Sequence, residues 1–127
     1  MAALAYAGDL SATAIIGQQA ADPSPAMRGA VADALASLGH PDGKAVVARL
    51  LHDKVWQVRQ KAARAAGLMG MIEYLPMISK LTLDETWAVR AEATTALSSL
   101  KTDSLRSSGR EPRDFFIERA VLTRIPA

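Results

Sequence analysis

Residues 53–59 are Asp-Lys-Val-Trp-Gln-Val-Arg, and this segment has two relatives in the same chain, at residues 22–28 and 84–90. All three segments begin with aspartate and end with arginine, and they are spaced by 31 residues. Self-similarity at a fixed period of this length is typical of arrays of stacked helical units. The repeat therefore decides the fold class before any single residue is interpreted.

Each period contains two apolar stripes with helical spacing, one before the aspartate and one after it. The first stripe predicts short helices over about 11–20, 44–52 and 73–82. The second predicts longer helices over about 25–38, 56–69 and 87–100. Glycine, which easily adopts the left-handed conformation of a helix end, closes successive second helices at Gly8, Gly39 and Gly70, and Lys101 breaks the column. The prediction is an all-α fold, an α-α superhelix of about three helical hairpins.

We predict a repeat array over residues 1–100, followed by a linker and a C-terminal capping helix over residues 102–127. The array divides into a half unit at 1–8 and repeats at 9–39, 40–70 and 71–101. Phe115 and Phe116, the two phenylalanines of the chain, fall in the last helix, which is predicted either to cover the third repeat or to dock a partner. The initial half unit indicates a fragment of a longer array, a cap, or an end that self-associates.

The aspartate, the Val-Arg pair, the alanine-rich second helix and the terminal glycine occur together over about residues 3–100. In this combination the chain resembles the short HEAT-like repeats of the phycobilisome-lyase type. The resemblance implies a structural ladder, in which turn aspartates bond to helix arginines of stacked units: Asp22, Arg28, Asp53, Arg59, Asp84 and Arg90. Repetition supports this role, because a catalytic group is needed once and a stacking device at every interface.

Composition excludes several classes of function. The chain has no cysteine, so disulfides, thiolate metal sites and cysteine nucleophiles are ruled out. Its net charge of +2 comes entirely from residues 101–127, with six basic and four acidic side chains, and a neutral array argues against a nucleic-acid interface. No apolar run is long enough to span a membrane, and the first residues lack the basic region of a signal peptide. We therefore expect a cytoplasmic protein without a membrane segment, catalytic residues, metal site or cofactor.

The outward positions of the second helices are predicted to bind a protein or peptide on a concave surface of mixed charge. Trp56 and Trp87 occupy the same repeat position, where tryptophan serves either packing or partner contact. The predicted partner-binding residues are Trp56, Gln60, Lys61, Arg64, Trp87, Glu92 and Thr95.

Two alternatives come from the resemblance alone. Relatives of this repeat serve as subunits of lyases that attach bilin chromophores to phycobiliproteins, and some HEAT-like proteins bind nucleic acid through basic concave residues. Neither alternative is supported by a cluster of catalytic or basic residues in this sequence.

Overall fold

The computed structural model describes residues 2–107, and every regular element within this range is helical. The α-helices are α1 (Ala2–Gln18), α2 (Pro25–Leu38), α3 (Lys44–Leu50), α4 (Trp56–Leu68), α5 (Leu75–Lys80) and α6 (Trp87–Ser107). Single-turn 3-10 helices lie at Gln19–Ala21, Pro41–Gly43, Ile72–Tyr74 and Leu81–Leu83. The predicted all-α superhelical fold is confirmed.

The second helices of the three units, α2, α4 and α6, stack side by side, with α4 between the other two. The shorter helices α3 and α5 pack behind them, α3 against α2 and α4, and α5 against α6. Small side chains allow this close stacking, because Ala62, Ala63 and Ala66 of α4 are completely buried. Larger residues such as Leu35 and Ile78 fill the space behind the stack, each contributing about 1.5–3 kcal/mol by burial.

The turns follow the chemistry of their residues. Gly39 and Gly70 have φ angles of +67° and +64°, the left-handed conformation predicted for them. At Gly70 two backbone bonds close the end of α4, from the Met71 N–H to the Ala66 carbonyl and from the Gly70 N–H to the Gly67 carbonyl. This pair of bonds is the Schellman motif, which satisfies carbonyls that the helix leaves free.

Two predicted helix ends were wrong. Gly8 does not end a helix, because α1 runs through it from Ala2 to Gln18. A single interior glycine costs a helix only about 1 kcal/mol, and no proline follows Gly8 closely as Pro41 follows Gly39. Helix α6 likewise continues beyond Leu100 to Ser107, since Lys101 replaces the glycine that stops α2 and α4.

The C-terminal helix predicted around Phe115 and Phe116 lies outside the described residues. Within residues 2–107, no helix combines the length and the apolar character that crossing a bilayer requires.

Candidate protein-binding surface

Paired arginines and aspartates join consecutive units. Arg28 of the first unit donates from Nε and Nη2 to the two carboxylate oxygens of Asp53, at 2.7 and 3.1 Å. Arg59 of the second unit makes the same two bonds to Asp84, at 2.8 and 3.1 Å. Because both pairs are bidentate and largely shielded from solvent, they fix the orientation of each unit on the next.

Both of these arginines, and Arg90 of the third unit, also close the turn of their own unit. The third guanidinium nitrogen, Nη1, donates to the carbonyl of the aspartate six residues earlier: Arg28 to Asp22 at 2.9 Å, Arg59 to Asp53 at 2.8 Å and Arg90 to Asp84 at 2.7 Å. The aspartate Oδ1 in turn accepts the N–H two residues later: Ser24, Val55 and Thr86. Arg28 and Arg59 thus each hold the turn of their own unit and the interface with the next unit.

The electrostatics of the inner aspartates reflect this double role. Burial by itself raises the pKa of Asp53, but hydrogen bonds from Arg28 and from the Val55 N–H, together with the charge of Arg28, bring the pKa below its usual value. Asp84 shows the same balance, with burial opposed by bonds from Arg59 and from the Thr86 N–H, and a lowered pKa as the result. The ionised carboxylate is therefore the form that the fold favours.

Within residues 2–107 the ladder is open at its two ends. Among residues 2–107, the carboxylate of Asp22 accepts only the N–H of Ser24, and no arginine donates to it. Arg90 donates through Nη1 to the carbonyl of Asp84, and within the described part of the chain Nε and Nη2 meet no carboxylate. In the part of the chain that the structure describes, Asp22 and Arg90 thus have the bonds of their own unit without the bonds of an interface.

A separate surface is formed by the outward side of the second helices, at four positions spaced four, three and four residues apart on each helix. We call it the second-helix face. Its members are exposed or half-buried: Ala26, Ala30, Asp33 and Ser37 of α2; Gln57, Lys61, Arg64 and Leu68 of α4; Ala88, Glu92, Thr95 and Ser99 of α6. This spacing places all twelve on one side of the stack.

A first groove of this face runs between α2 and α4. It contains two depressions of about 370 and 450 Å³, separated by an ion pair of 2.6 Å between Lys61 Nζ and Asp33 Oδ2. The methylene groups of Lys61 pack directly against Gly29. An added Cβ atom at Gly29 would lie only 2.8 Å from the Lys61 Cδ atom. Lys61 and Asp33 neutralise each other, so the middle of this groove presents little net charge.

A second groove runs between α4 and α6, with a depression of about 220 Å³. Arg64 and Leu68 line one wall, and Glu92, Thr95 and Ser99 line the other. In the described residues neither Arg64 nor Glu92 forms an ion pair, and both remain available to a ligand. Leu68 is 68% exposed and follows Arg64 by one helical turn on the same wall, with Glu92 on the opposite wall.

The structure brings four of the predicted binding residues onto this face: Lys61, Arg64, Glu92 and Thr95. Gln60 is half-buried beside the face.

Trp56 lies on the side of α4 that carries Ala63 and Gly67. Gly67 packs against Ala96 of α6, so this side of α4 is directed toward the next unit. Trp87 occupies the same position on α6.

Sequence reasoning missed Leu68 as a site residue. Its counterparts in the other two units are Ser37 and Ser99, so the repeat gives no apolar signal at this position. The signal that could have found it is local, since Leu68 follows Lys61 by seven residues and Arg64 by four, the spacing of one helix face.

No group of three or more histidine, aspartate or glutamate side chains within residues 2–107 is arranged to hold a metal ion. His40 is buried, and its Nδ1 accepts the Asp42 N–H at 3.1 Å, which gives it a role in the turn after α2.

Comparison with known proteins agrees with this architecture. A family model for HEAT repeats matches residues 1–65 and again residues 43–121, which together cover most of the chain. No curated protein matches the chain. With its helical hairpins stacked in register, the chain belongs to the HEAT repeat family.

Proposed function

We propose that this protein is a non-catalytic scaffold that binds a protein or peptide partner on the second-helix face. HEAT repeats generally mediate protein–protein interaction or scaffolding, and HEAT repeat proteins are generally non-catalytic. For this chain we propose in addition that the binding surface is the second groove together with the adjoining part of the first. We propose that a partner is recognised there by an apolar contact and by charges of both signs. The cytoplasm is the proposed location, which cell fractionation tests directly.

The observation that carries the proposal is the arrangement around Leu68. This leucine is 68% exposed and, like Arg64 one helical turn before it, lines both grooves. Glu92 lies on the opposite wall of the second groove, and neither Arg64 nor Glu92 has an ion-pair partner in the described residues. An exposed apolar side chain with polar groups beside it is a typical element of a protein-binding surface. The two charges would fix the register of a partner that carries one acidic and one basic group beside an apolar side chain.

The charge of the face argues for a protein partner over a nucleic acid. Its four charged side chains are two basic and two acidic: Lys61, Arg64, Asp33 and Glu92. A surface that binds the phosphate backbone needs a concentration of basic groups, since neutralising phosphates supplies most of the affinity. A helix or an extended peptide fits the balanced face better.

Assignment to the phycobilisome-lyase type of HEAT-like repeat is a finer proposal, supported by the sequence pattern of the turns and by no contact in the structure. The corresponding activity, as a subunit of a bilin lyase, has a simple test. A shift of bilin absorbance on mixing with the purified chain would support it, and an unchanged spectrum would exclude it.

The decisive experiment compares two double variants with the same chemistry, one on the second-helix face and one outside it. Arg64→Glu with Leu68→Ser alters the second groove, whereas Arg49→Glu with Leu83→Ser alters an exposed arginine of α3 and an exposed leucine at the end of the 3-10 helix Leu81–Leu83. Wild type and both variants would be used for affinity purification from the source cell with mass spectrometry, after circular dichroism has shown equal folding.

The proposal expects a partner that binds wild type and the Arg49/Leu83 control equally and is lost by at least about tenfold with the Arg64/Leu68 variant. Equal recovery by both variants would place binding away from the second-helix face and overturn the proposal.

A further inference from the structure

We propose that copies of this chain associate head to tail, with Arg90 of one copy bound bidentately to Asp22 of the next. This inference is independent of the second-helix face and rests on the two open ends of the ladder. The contact would repeat, between molecules, the arrangement that joins Arg28 to Asp53 and Arg59 to Asp84 within one molecule.

The tail end is the side of α6 that corresponds to the interface side of α4. Trp87 is 71% exposed there, against 38% for its counterpart Trp56. Thr94 and Ser98 are exposed, although the equivalent residues of α4, Ala63 and Gly67, are buried. Arg90 is exposed, its guanidinium is oriented by the bond from Nη1 to the Asp84 carbonyl, and its Nε and Nη2 donate to no carboxylate in the described residues.

The head end shows the complementary features on α2. Asp22 has the same turn geometry as Asp53, because its Oδ1 accepts the Ser24 N–H at 2.8 Å just as Asp53 accepts the Val55 N–H at 2.9 Å. Met27 is 42% exposed, while Val58 and Val89 in the same repeat position are completely buried. The head therefore presents a pre-positioned carboxylate beside an apolar side chain.

A second copy is the occupant that both ends favour. The charges of the two ends are complementary. Within residues 2–107, the guanidinium of Arg90 at the tail has no carboxylate partner, and the carboxylate of Asp22 at the head has no arginine partner. The turn at Asp22 and the turn that Arg90 closes have the same hydrogen bonds as the turns at the internal interfaces. Both side chains are therefore held as their counterparts are in the Arg28–Asp53 and Arg59–Asp84 pairs. A contact of this type joins different surfaces of the two partners, and it permits chains longer than a dimer.

The polar side chains of the tail limit the strength of this association. Thr94 and Ser98 replace an alanine and a glycine that pack closely inside the molecule, so a copy docked at the tail would make a looser contact than α6 makes with α4. We therefore expect weak association that depends on protein concentration and on salt, since exposed ion pairs are screened.

Sedimentation velocity of the full chain over a wide concentration range tests the proposal. The wild-type mean mass should rise with concentration, and Arg90→Asp or Asp22→Arg should each weaken association by about tenfold or more, because each places like charges at the contact. An equimolar mixture of the two variants should associate again. In that mixture the aspartate introduced at the tail of one variant meets the arginine introduced at the head of the other, and the native pair forms at alternate contacts.

Arg49→Asp, a charge reversal away from both ends, is the control and should associate like wild type. Because Asp22→Arg also removes the acceptor for the Ser24 N–H, Asp22→Asn provides a second variant that keeps this acceptor and removes the charge. A monomeric wild type at all concentrations overturns the proposal, as would be found if residues 108–127 of the same chain covered the tail. Association that survives either reversal, or a mixture that fails to recover, overturns it equally.

Discussion

Arg59 and Arg90 occupy the same position of consecutive units, and the comparison between them separates what a repeat sequence determines from what its neighbours determine. Both arginines donate Nη1 to the carbonyl of the aspartate six residues earlier, at 2.8 and 2.7 Å. Arg59 also grips the carboxylate of Asp84, whereas Arg90 has no such partner in the described residues. Local structure is thus a property of the unit, and burial and pairing are properties of the stack.

The largest expected effect comes from removing the two arginines separately. Arg59→Ala should lower the free energy of unfolding by about 3 kcal/mol, because it breaks a largely shielded bidentate pair and leaves Asp84 near the interface without its cation. Arg90→Ala should lower it by about 0.5 kcal/mol or less, as exposed polar contacts usually do. Urea unfolding followed by circular dichroism measures both, and equal losses would contradict the distinction between inner and end positions.

The next comparison concerns the apolar residue that precedes each arginine. Val58 is completely buried and Met27 is 42% exposed, although they are equivalent in the repeat. Val58→Ala should destabilise the fold by about 2 kcal/mol through lost burial and the cavity that remains. Met27→Ala should change stability by less than about 0.5 kcal/mol, since alanine also has the better helix propensity. Losses of similar size in thermal melts would show that the head of the stack is covered.

Positions required by the local backbone could be predicted from the sequence. Gly39 and Gly70 have the left-handed conformation expected of them. This conformation is required by the end of the helix that each glycine follows, and it does not depend on packing against other units. The turn aspartates are equally local, since Asp53 accepts the N–H of Val55, only two residues away. Period and turn chemistry therefore suffice for the fold class and for most helix ends.

The candidate site could be predicted only in part, because exposure depends on what packs against each unit. Trp56 and Trp87 occupy the same repeat position, yet their exposed fractions differ almost twofold. This difference cannot be predicted from the sequence of either unit alone. Lys61 and Arg64 both lie on the outward side of α4, as helical spacing predicts. Only the structure shows that Lys61 forms an ion pair with Asp33, whereas Arg64 forms none in the described residues. Asp33 lies 28 residues before Lys61, and that pairing requires the geometry of the stack.

A smaller effect is expected at the close approach between α4 and α6. A Cβ atom at Gly67 would lie 3.1 Å from both the Cα and the Cβ atoms of Ala96, so Gly67→Ala must push the two helices apart. The strain of overpacking exceeds the helix propensity that alanine gains, and we expect a net loss of about 1 kcal/mol. Ser98→Ala, the equivalent change on the exposed side of α6, should be neutral or stabilising by about 0.5 kcal/mol. A stabilising Gly67→Ala, measured by urea unfolding, would contradict the tight packing.

The smallest expected effect is on the pH dependence of stability, because burial opposes the bonds that lower the pKa of Asp84. A carboxyl group with a lowered pKa in the folded state contributes stability that is fully present above its ordinary pKa, about 4, and is lost as the pH falls through the folded value. Wild type should therefore lose stability below about pH 4, and Asp84→Asn should lose less over the same range while being less stable at about pH 7. Urea midpoints at about pH 7, 4 and 3 measure this. Parallel losses in the two proteins would mean that the Arg59–Asp84 pair has no part in acid unfolding, and that the inner ladder differs from its ends in geometry alone.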